Sequence, residues 1–248
     1  MYKIPLYKKV KDLVERPFEE KLEESQKLVA CKLQEGLPCV ACSFGKDSIV
    51  TLHLVRQYHP KVPVIFNNTR IQWPETYKFK EHMKKQWNLK VIETQPIKTF
   101  WEVGKEYGLP DGSKWKKQKG KDNSMDKCCW YLKHLPMRRL MKSYGFSHAF
   151  SGVSAVESRQ RMLTACQYGS SYYAKRDGYT KIHPLAYWTQ DEVWQYIKDE
   201  NLPINPAYEK HDLIRLGCMF CTAYKNWREV MERVNPRMIE VLEKFMTV

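Results

Sequence analysis

A loop with anion-binding chemistry follows an early apolar run of the chain. Its residues SFGKDS, 43–48, come directly after PCVAC, 38–42, and before an apolar segment with helical spacing. Gly45 permits close approach of the backbone to an anion, Lys46 supplies a point charge, and Asp47 can help to hold Mg²⁺. The second glycine and the GK[ST] ending of the Walker pattern are missing, so an ordinary polar turn remains the alternative.

The position of this loop strengthens the anion-binding hypothesis. A loop between a parallel strand and its helix lies at the carboxyl edge of the sheet, where ligands bind in such folds. The following helix points its N-terminal amides and the positive end of its dipole at that place. The residues that we expect to bind the anion are Ser43, Phe44, Gly45, Lys46, Asp47 and Ser48.

Four of the eight cysteines form two pairs that lie far apart in the sequence: Cys128 with Cys129, and Cys218 with Cys221. In a cytosolic protein, clustered cysteines favour metal binding or catalysis over disulfides. Four thiolates suit a [4Fe–4S] cluster or a structural zinc ion. Adjacent cysteines fit zinc poorly, because its ligand pairs are usually spaced by two to four residues. Unliganded structural thiols are the third interpretation.

The net charge of +14 indicates an anionic partner, and its size favours nucleic acid. The segment DGSKWKKQKGKDNSMDK, 111–127, has little apolar content, and we predict a mobile loop there. Its single aromatic residue, Trp115, can stack on a base while its lysines contact the phosphate backbone. These lysines are Lys114, Lys116, Lys117, Lys119 and Lys121. A solvated flexible loop, and a charge that serves only solubility, are the alternatives.

The scaffold for these groups is predicted from the hydrophobic pattern. The expected strands are 38–43, 62–68 and 89–95, followed by a strand with its exit loop at 148–155 and an extended segment at 181–188. The expected helices are 18–35, 48–59, 74–87, parts of 129–145, 189–201 and 226–246. Thr189 with Glu192 forms a capping box, Pro136 predicts a bend, and Pro236 predicts a break. The alternation of strands and helices predicts an α/β fold, with a parallel sheet covered by helices on both faces.

Targeting signals are not evident in the sequence. No apolar run approaches the ~20 residues that cross a membrane. The N-terminal residues MYKIPLYKKVKDL are charged throughout and have no signal-peptide character. We therefore expect a cytoplasmic protein with no membrane partner.

The loop at 43–48 resembles the PP-loop of the adenine nucleotide alpha-hydrolase superfamily, usually written SGGxDS. That superfamily includes the ATP pyrophosphatases and the APS and PAPS (sulfonucleotide) reductases. The resemblance continues in order through NNTRIQWPETYKF (67–79), KCCWYLKHLP (127–136), SGVSAVESRQRM (151–162), KIHPLAYWTQDEVWQYIKDENLPINPAYEKH (181–211) and LGCMFCT (216–222). It implies a parallel sheet sandwiched by helices, with the nucleotide over the strand edge.

This resemblance also implies a division of the chain. We expect an N-terminal segment at 1–24, a PP-loop nucleotide-binding domain with an iron–sulfur site at 25–225, and a small helical C-terminal tail at 226–248. The CC…CxxC pattern resembles the cluster-binding set of the APS reductases and related ATP pyrophosphatases. The resemblance therefore implies a [4Fe–4S] cluster on Cys128, Cys129, Cys218 and Cys221.

The resemblance assigns roles to residues, with two departures from the family pattern. It implies catalytic roles for Lys46, Asp47 and Ser48. Beyond the loop, it implies nucleotide contacts by Asn68, Arg159 and Arg161. Phe44 stands where a glycine is common, and Val153-Ser154 replaces the arginine of the family's GxR. Arg159 and Arg161 remain to pair with phosphate or sulfate oxygens.

Two chemistries divide the family. The sulfonucleotide reductases attack sulfur with a cysteine of a C-terminal motif like ECGLH, and no cysteine follows Cys221 here. Lys46, Asp47 and Ser48 keep the pattern of enzymes that split ATP between the α- and β-phosphates. We therefore expect an ATP pyrophosphatase with ATP and Mg²⁺ bound, in which a substrate oxygen attacks the α-phosphorus and pyrophosphate leaves.

The resemblance also names candidate substrates and partners. Cluster-bearing pyrophosphatases of DNA phosphorothioation share these features, so the main hypothesis is adenylation of DNA for sulfur insertion. Such enzymes work beside a cysteine desulfurase, as sulfur donor, and other DNA-modification proteins. The alternatives are an APS/PAPS reductase of sulfate assimilation that uses an external thiol, a tRNA thiolation enzyme, and a non-catalytic iron–sulfur nucleic-acid-binding subunit. The oligomeric state stays open, with a homodimer allowed.

Overall fold

The computed structural model describes residues 3–112 and 124–246. The chain folds into two units that interleave along the sequence. Unit 1 comprises Met1–Phe66, Phe79–Ile92 and Met141–Asn205, and unit 2 comprises Asn67–Lys78, Glu93–Leu140 and Pro206–Val248. The division of the chain into 1–24, 25–225 and 226–248 stays a prediction.

A six-stranded sheet forms the centre of unit 1. The last residues of two of its strands belong to unit 2. Its strands are β1 (Pro38–Ala41), β2 (Val64–Asn67), β3 (Val91–Thr94), β4 (His148–Ser151), β5 (Ser171–Ala174) and β6 (Tyr179–Ile182). The order is β3-β2-β1-β4-β6-β5. β1 is parallel to β2 and β4, and β4 is parallel to β6. The predicted α/β fold is confirmed, with one addition: β5 runs antiparallel to β6 at an edge.

The central strands are short apolar runs because they are buried on both faces, as is usual for parallel sheets. Val40 in β1, and Val64, Ile65 and Phe66 in β2, have no exposed surface. Phe150 in β4 is equally buried. The unbroken apolar pattern therefore identified these strands correctly.

The helices agree with most of the sequence predictions. They are α1 (Lys3–Val14), α2 (Phe18–Lys32), α3 (Lys46–Tyr58), α4 (Pro74–Gln86), α5 (Phe100–Tyr107), α6 (Ser124–Cys129), α7 (Leu135–Tyr144), α8 (Arg159–Tyr168), α9 (Gln190–Asp199), α10 (Ala207–Lys210), α11 (Trp227–Val234) and α12 (Arg237–Lys244). The capping box of α9 is confirmed, since Thr189 Oγ1 accepts from the Glu192 amide at 3.2 Å. In the part of the chain that the structure describes, no helix could span a membrane.

Unit 2 has its own apolar core, to which the C-terminal helices contribute. The break predicted near Pro236 is confirmed, because α11 ends at Val234 and α12 begins at Arg237. Trp227 is buried, and its indole N–H donates to Asp111 Oδ1 at 3.2 Å. The buried residues of this core are Phe100, Val103, Leu109, Leu132, Trp227, Met231 and Leu242.

Two local predictions need correction. The loop expected over 111–127 is wrong at its C-terminal end, where Ser124–Cys129 are helical, and residues 113–123 lie outside the described part. The expected nucleic-acid contacts also lie outside it: Lys114, Lys116, Lys117, Lys119 and Lys121. The bend expected at Pro136 falls earlier, because Trp130–His134 form a π-helical turn between α6 and α7. Pro136 lies in the first turn of α7, where proline is tolerated.

Candidate functional site

The loop at 43–48 connects β1 to α3 at the carboxyl edge of the sheet, as the sequence predicted. β1 lies between β2 and β4, so the strand order reverses beside this loop, which is where ligands bind in open α/β sheets. Ser48 Oγ accepts from the Gly45 amide at 3.1 Å and donates to the Gly45 carbonyl at 2.8 Å. It also lies 3.3 Å from Ser43 Oγ. The Ser48 hydroxyl therefore closes the loop around the start of α3.

Phe44 shows why a glycine is common at its position. Its φ is +58°, in the left-handed region that L-residues occupy at a cost. The ring is fully buried and packs edge-on against Phe66, with ring centroids 5.6 Å apart. The side-chain amide of Asn205 donates to the Phe44 carbonyl at 3.1 Å. Burial of the ring and this hydrogen bond offset the strained backbone.

Gly152 provides a second constraint on the loop. It follows β4, and a Cβ at this position would lie 2.4 Å from the Asp47 carbonyl oxygen. That distance is far shorter than a van der Waals contact. The backbone after β4 therefore passes directly against the first turn of α3, and only glycine permits this approach.

Lys46 and Asp47 form a charged pair at the start of α3. The Lys46 side chain is buried, and its Nζ lies 2.9 Å from both carboxylate oxygens of Asp47. Lys46 Nζ also donates to Gln190 Oε1, at the first residue of α9. The structure thus brings together one ammonium, one carboxylate and one amide at the edge of the sheet, a set that suits a phosphate accompanied by a cation.

The two expected arginines lie in the first turn of α8, after the loop that follows β4, and they have different surroundings. Arg161 pairs with Glu157 one turn earlier, and Glu157 also accepts from the Ser154 amide at 3.2 Å. Arg159 is exposed at the start of α8. Ser154, which replaces the family's arginine, is buried and donates to the Trp188 carbonyl at 2.6 Å. Ser154 therefore holds the loop in place, and the anion contacts of Arg159 and Arg161 stay predictions.

Arg159 borders an open cavity of about 630 Å³. Tyr7, Val156 and Met162 supply apolar surface to the same cavity. An arginine at the rim of an apolar cavity can hold an anionic group while the body of the ligand lies on the apolar floor.

His183 follows β6 at the same edge of the sheet and is buried. Its Nδ1 lies 3.0 Å from Ser151 Oγ, at the end of β4. Burial lowers the pKa of His183 to about 4, and the charges of Lys181 and Arg161 act in the same direction. The imidazole is therefore neutral at pH 7.

Asn68 belongs to unit 2, in the segment that follows β2. Its Nδ2 donates to Glu93 Oε2 at 2.8 Å. Its Oδ1 accepts from the Arg70 amide and from the Tyr77 hydroxyl, both at 3.0 Å. These bonds order the segment, and a nucleotide contact by Asn68 stays a prediction.

The four cysteines of the two pairs lie in unit 2, in two well-anchored segments. Cys128 and Cys129 end α6, directly before the π-helical turn. The Cys218 thiol lies 3.4 Å from Thr69 Oγ1, and the Cys221 amide donates to the Cys218 carbonyl at 3.2 Å. Further bonds from Met219 to Ile71 and from Gly112 to Thr222 fix the second segment.

The pKa shifts of these thiols indicate that the four cysteines interact electrostatically with one another. Burial raises the pKa of Cys128, and the nearby Cys129, Cys218 and Cys221 raise it further. Burial, followed by Cys218, raises the pKa of Cys221 to about 11. The pKa of Lys133 is raised, chiefly by Cys218. Lys133 therefore interacts electrostatically with the thiols and stays protonated.

The donor set suits an iron–sulfur cluster better than a single ion. A zinc ion needs four ligand atoms at about 2.0–2.3 Å, whereas a [4Fe–4S] cluster takes Cys thiolates spread over its irons. Among the described residues, no group of three or more His, Cys, Asp or Glu is gathered closely enough for one metal ion. All eight cysteines are free thiols. Four thiols that interact electrostatically with one ammonium suit a cluster of net negative charge, and the cluster itself stays an expectation.

Sequence reasoning assigned no role to three residues that contact the PP-loop, or to one that lies at the same edge of the sheet. The three are Gly152, Gln190 and Asn205, and the fourth is His183. Gly152 and His183 each follow a strand at the edge where ligands bind, and that position was a usable signal. Asn205 and Gln190 lie about 150 residues from the loop, and pairing over that separation has no local signal in a single sequence.

Comparison with known proteins agrees with this geometry. The family described as the phosphoadenosine phosphosulfate reductase domain matches residues 37–224. An adenosine 5'-phosphosulfate reductase of Bacillus cereus (strain ZK / E33L) is 31% identical over 196 residues, covering 78% of this chain and 76% of that relative. The enzyme of the same name in Bacillus mycoides (strain KBAB4) is 33% identical over 186 residues, covering 73% of this chain and 71% of the relative.

Solved structures support the fold. A phosphoadenylyl-sulfate (PAPS) reductase of Candida auris, in a phosphate complex, superposes with a TM-score of 0.58 at 20% identity, covering 84% of this chain and 91% of that one. An FMN adenylyltransferase of Candida glabrata, with FMN and an ATP analogue, gives a TM-score of 0.58 at 12% identity, covering 86% and 71%. The profile match spans most of the chain, and the relatives align over most of their length. This chain belongs to the phosphoadenosine phosphosulfate reductase family of the PP-loop superfamily.

Proposed function

We propose that this chain is an adenine-nucleotide-dependent enzyme of sulfur transfer, and that its first candidate substrate is a sulfonucleotide, APS or PAPS. One observation carries the proposal. The buried Lys46 ammonium and the N-terminus of α3 lie at the carboxyl edge of the sheet, directly after β1, which is the strand beside which the strand order reverses. Such a place stabilises the phosphate of a nucleotide and the negative charge that develops on it as a bond breaks.

The names of the relatives support the sulfonucleotide. In this chemistry a thiolate attacks the sulfur of the nucleotide's sulfate group. The bond from sulfur to the bridging oxygen breaks, and AMP (or its 3'-phosphate) leaves with the electron pair. A second thiol then attacks the resulting S-sulfonate, so that sulfite leaves and a disulfide forms. We assign both thiols to a dithiol protein partner of the thioredoxin class, and we assign stabilisation of the leaving phosphate to Lys46.

Asp47 supports a second candidate, an ATP pyrophosphatase. Its carboxylate, next to Lys46, repels a phosphate unless a cation is present, and Mg²⁺ bound to a triphosphate supplies one. A nucleic-acid oxygen would attack the α-phosphorus of ATP, and pyrophosphate would leave. The outer sulfur of a persulfide on a cysteine desulfurase would then attack the same phosphorus and displace AMP. A thiol reductant would cleave the resulting S–S bond, which leaves the phosphorothioate and a disulfide. DNA phosphorothioation, the main hypothesis from the sequence, is this reaction, and the net charge of +14 supports it.

Cys128, Cys129, Cys218 and Cys221 would hold a [4Fe–4S] cluster in either case. A bound cluster would join the two cysteine segments and provide a one-electron centre. Lys133 would balance its charge, because its ammonium interacts electrostatically with the four thiols. The π-helical turn after Cys129 would orient the adjacent pair.

Product analysis separates the candidates. Anaerobically purified protein is incubated with APS, with PAPS, or with ATP and Mg²⁺, each with and without a reduced thioredoxin-class protein and DNA or tRNA. Sulfite that depends on the dithiol supports the first candidate. Pyrophosphate that depends on DNA supports the phosphorothioation hypothesis, and dependence on tRNA supports tRNA thiolation. Nucleic-acid binding without any product identifies a non-catalytic subunit and contradicts the proposal.

A further inference from the structure

Gln190 places an unused hydrogen-bond donor beside the PP-loop. It is the first residue of α9 and lies in unit 1 with the loop. Its Oε1 accepts from Lys46 Nζ. Its Nε2 is buried and has no hydrogen-bond partner within the described residues. Both atoms belong to the same side-chain amide. The unpartnered N–H₂ of Gln190 is therefore close to the Lys46 ammonium.

The chemistry of Lys46 fixes which end of the amide faces it. An ammonium carries donors only, so it can pair with the amide oxygen but not with the amide N–H₂. Exchanging the two atoms would set two donors against each other. The donor end of Gln190 therefore points away from Lys46 Nζ, and a buried donor without an acceptor is costly.

The backbone of Gln190 is firmly held. Thr189 caps α9, and the Thr189 amide donates to Glu192 Oε2 at 2.8 Å. Glu192 in turn pairs with the buried ammonium of Lys21, with a distance of 2.5 Å from Nζ to Oε1. The side-chain amide of Gln190 therefore extends from the first turn of a helix that these contacts fix in place. Binding groups are pre-organised in this way.

We infer that Gln190 is a phosphate-binding residue of the nucleotide site, whose N–H₂ donates to an oxygen of the phosphate held by Lys46. The inference rests on the proposed function and adds a residue from a second helix, α9, to the site on α3. Lys46 supplies charge and Gln190 supplies a directed neutral donor. A neutral donor adds a hydrogen bond without adding charge, which suits a phosphate that Asp47 and a cation already accompany.

Equilibrium binding of AMP and of adenosine tests this inference. AMP carries the phosphate and adenosine lacks it, so the ratio of their dissociation constants isolates the phosphate contact. We expect Gln190→Ala and the shape-retaining Gln190→Met to weaken AMP binding about tenfold, or about 1.4 kcal/mol, and to leave adenosine binding unchanged. Gln190→Glu should weaken AMP binding about a hundredfold, because its carboxylate repels the phosphate and neutralises Lys46.

Gln57→Ala is the matched control. Gln57 lies near the other end of α3, where its amide contacts the Tyr196 hydroxyl at 3.4 Å, and its replacement should leave both affinities unchanged. Equal AMP affinity in wild type and the Gln190 variants would overturn the inference. Equal losses for AMP and adenosine would overturn it too, since they would indicate a structural role. A wild-type chain that binds neither compound would overturn the proposed function, and this inference with it.

Discussion

The side-chain amide of Asn205 donates to the backbone carbonyl of Phe44 at 3.1 Å, and so supports a residue with φ of +58°. Asn205 itself is buried. A phenylalanine can therefore occupy a position where the PP-loop pattern commonly has glycine. The shape of the loop therefore depends on contacts from outside it, including those of Asn205 and Gly152.

Substitutions of Phe44 should separate ring burial from backbone strain. Phe44→Ala loses the buried ring, which costs about 3–5 kcal/mol, and keeps the strained φ. Phe44→Gly loses the same ring but relieves strain of roughly 1–2 kcal/mol. We expect both variants to be less stable than wild type in urea unfolding, with the glycine variant the more stable of the two. An alanine variant as stable as the glycine variant would contradict a strained Phe44.

Gly152→Ala should disable the PP-loop. The new Cβ would meet the Asp47 carbonyl oxygen at 2.4 Å, and therefore the start of α3 would have to shift. We expect AMP binding to weaken at least tenfold, measured by calorimetry. The neighbouring change Val153→Ala is the control, and it should bind AMP normally. Unchanged AMP affinity in the Gly152 variant would show that the first turn of α3 does not hold the phosphate.

Asp47→Asn should distinguish the two candidate substrates. The amide keeps the size of the side chain but cannot attract a cation. Pyrophosphate release from ATP and Mg²⁺ should fall at least a hundredfold. Dithiol-dependent sulfite release from a sulfonucleotide should persist within about tenfold, because that substrate needs no metal at Asp47. Loss of both activities, with normal AMP binding, would assign Asp47 a role other than cation binding.

His183 should make stability depend on pH. Its pKa is about 4 in the folded chain and about 6.5 when unfolded, so only the unfolded state gains a proton between these values. Stability should therefore fall as the pH drops from about 6.5 to about 4, by roughly 3 kcal/mol in total. His183→Gln should flatten this part of a urea-unfolding series. A parallel pH dependence in both proteins would show that other groups cause it.

Cys218→Ser should release the expected cluster. Serine is close in size but is a poor ligand for iron, and Cys218 is the thiol that acts most strongly on Lys133. Iron and sulfide per chain, measured after anaerobic purification, should drop to near zero. Cys166→Ser is the control, because Cys166 lies in unit 1, outside both cysteine pairs. Full iron content in the Cys218 variant would contradict the assignment of this residue as a ligand.

Local patterns predicted much of this fold. The buried strands β1 and β2, the capping box at Thr189 and the break near Pro236 all have short-range causes, and the structure confirms them. The edge strand β5 was missed because Ser171–Ala174 contains two tyrosines but no clear alternation, and its pairing with β6 defines it. The π-helical turn at Trp130–His134 was missed, and a bend was predicted at Pro136 instead, because proline is the usual cause of a helix irregularity.

The part of the candidate site that lies within one segment of the chain could be predicted from the sequence. The loop at 43–48 and its place after β1 follow from the sequence. The position of Gly152 after a strand was a signal, but the contacts that Asn205, Gly152 and Gln190 make with the loop could not be predicted, because each joins residues that are more than 100 positions apart. The Ser48 hydroxyl bonds within the loop to Gly45, and its contact with an anion stays a prediction.

The most direct test is release of AMP from an adenine nucleotide by anaerobically purified protein, with wild type and Lys46→Ala compared. Both candidate reactions release AMP when APS or ATP is the substrate. AMP formation therefore tests the claim that both candidates share, which is that the chain is an adenine-nucleotide-dependent enzyme. We predict that wild type, given its co-substrates, forms AMP from at least one of the two, and that the Lys46 variant is at least a hundredfold slower. AMP formation at the same rate in both proteins, or none from either nucleotide, would contradict the account.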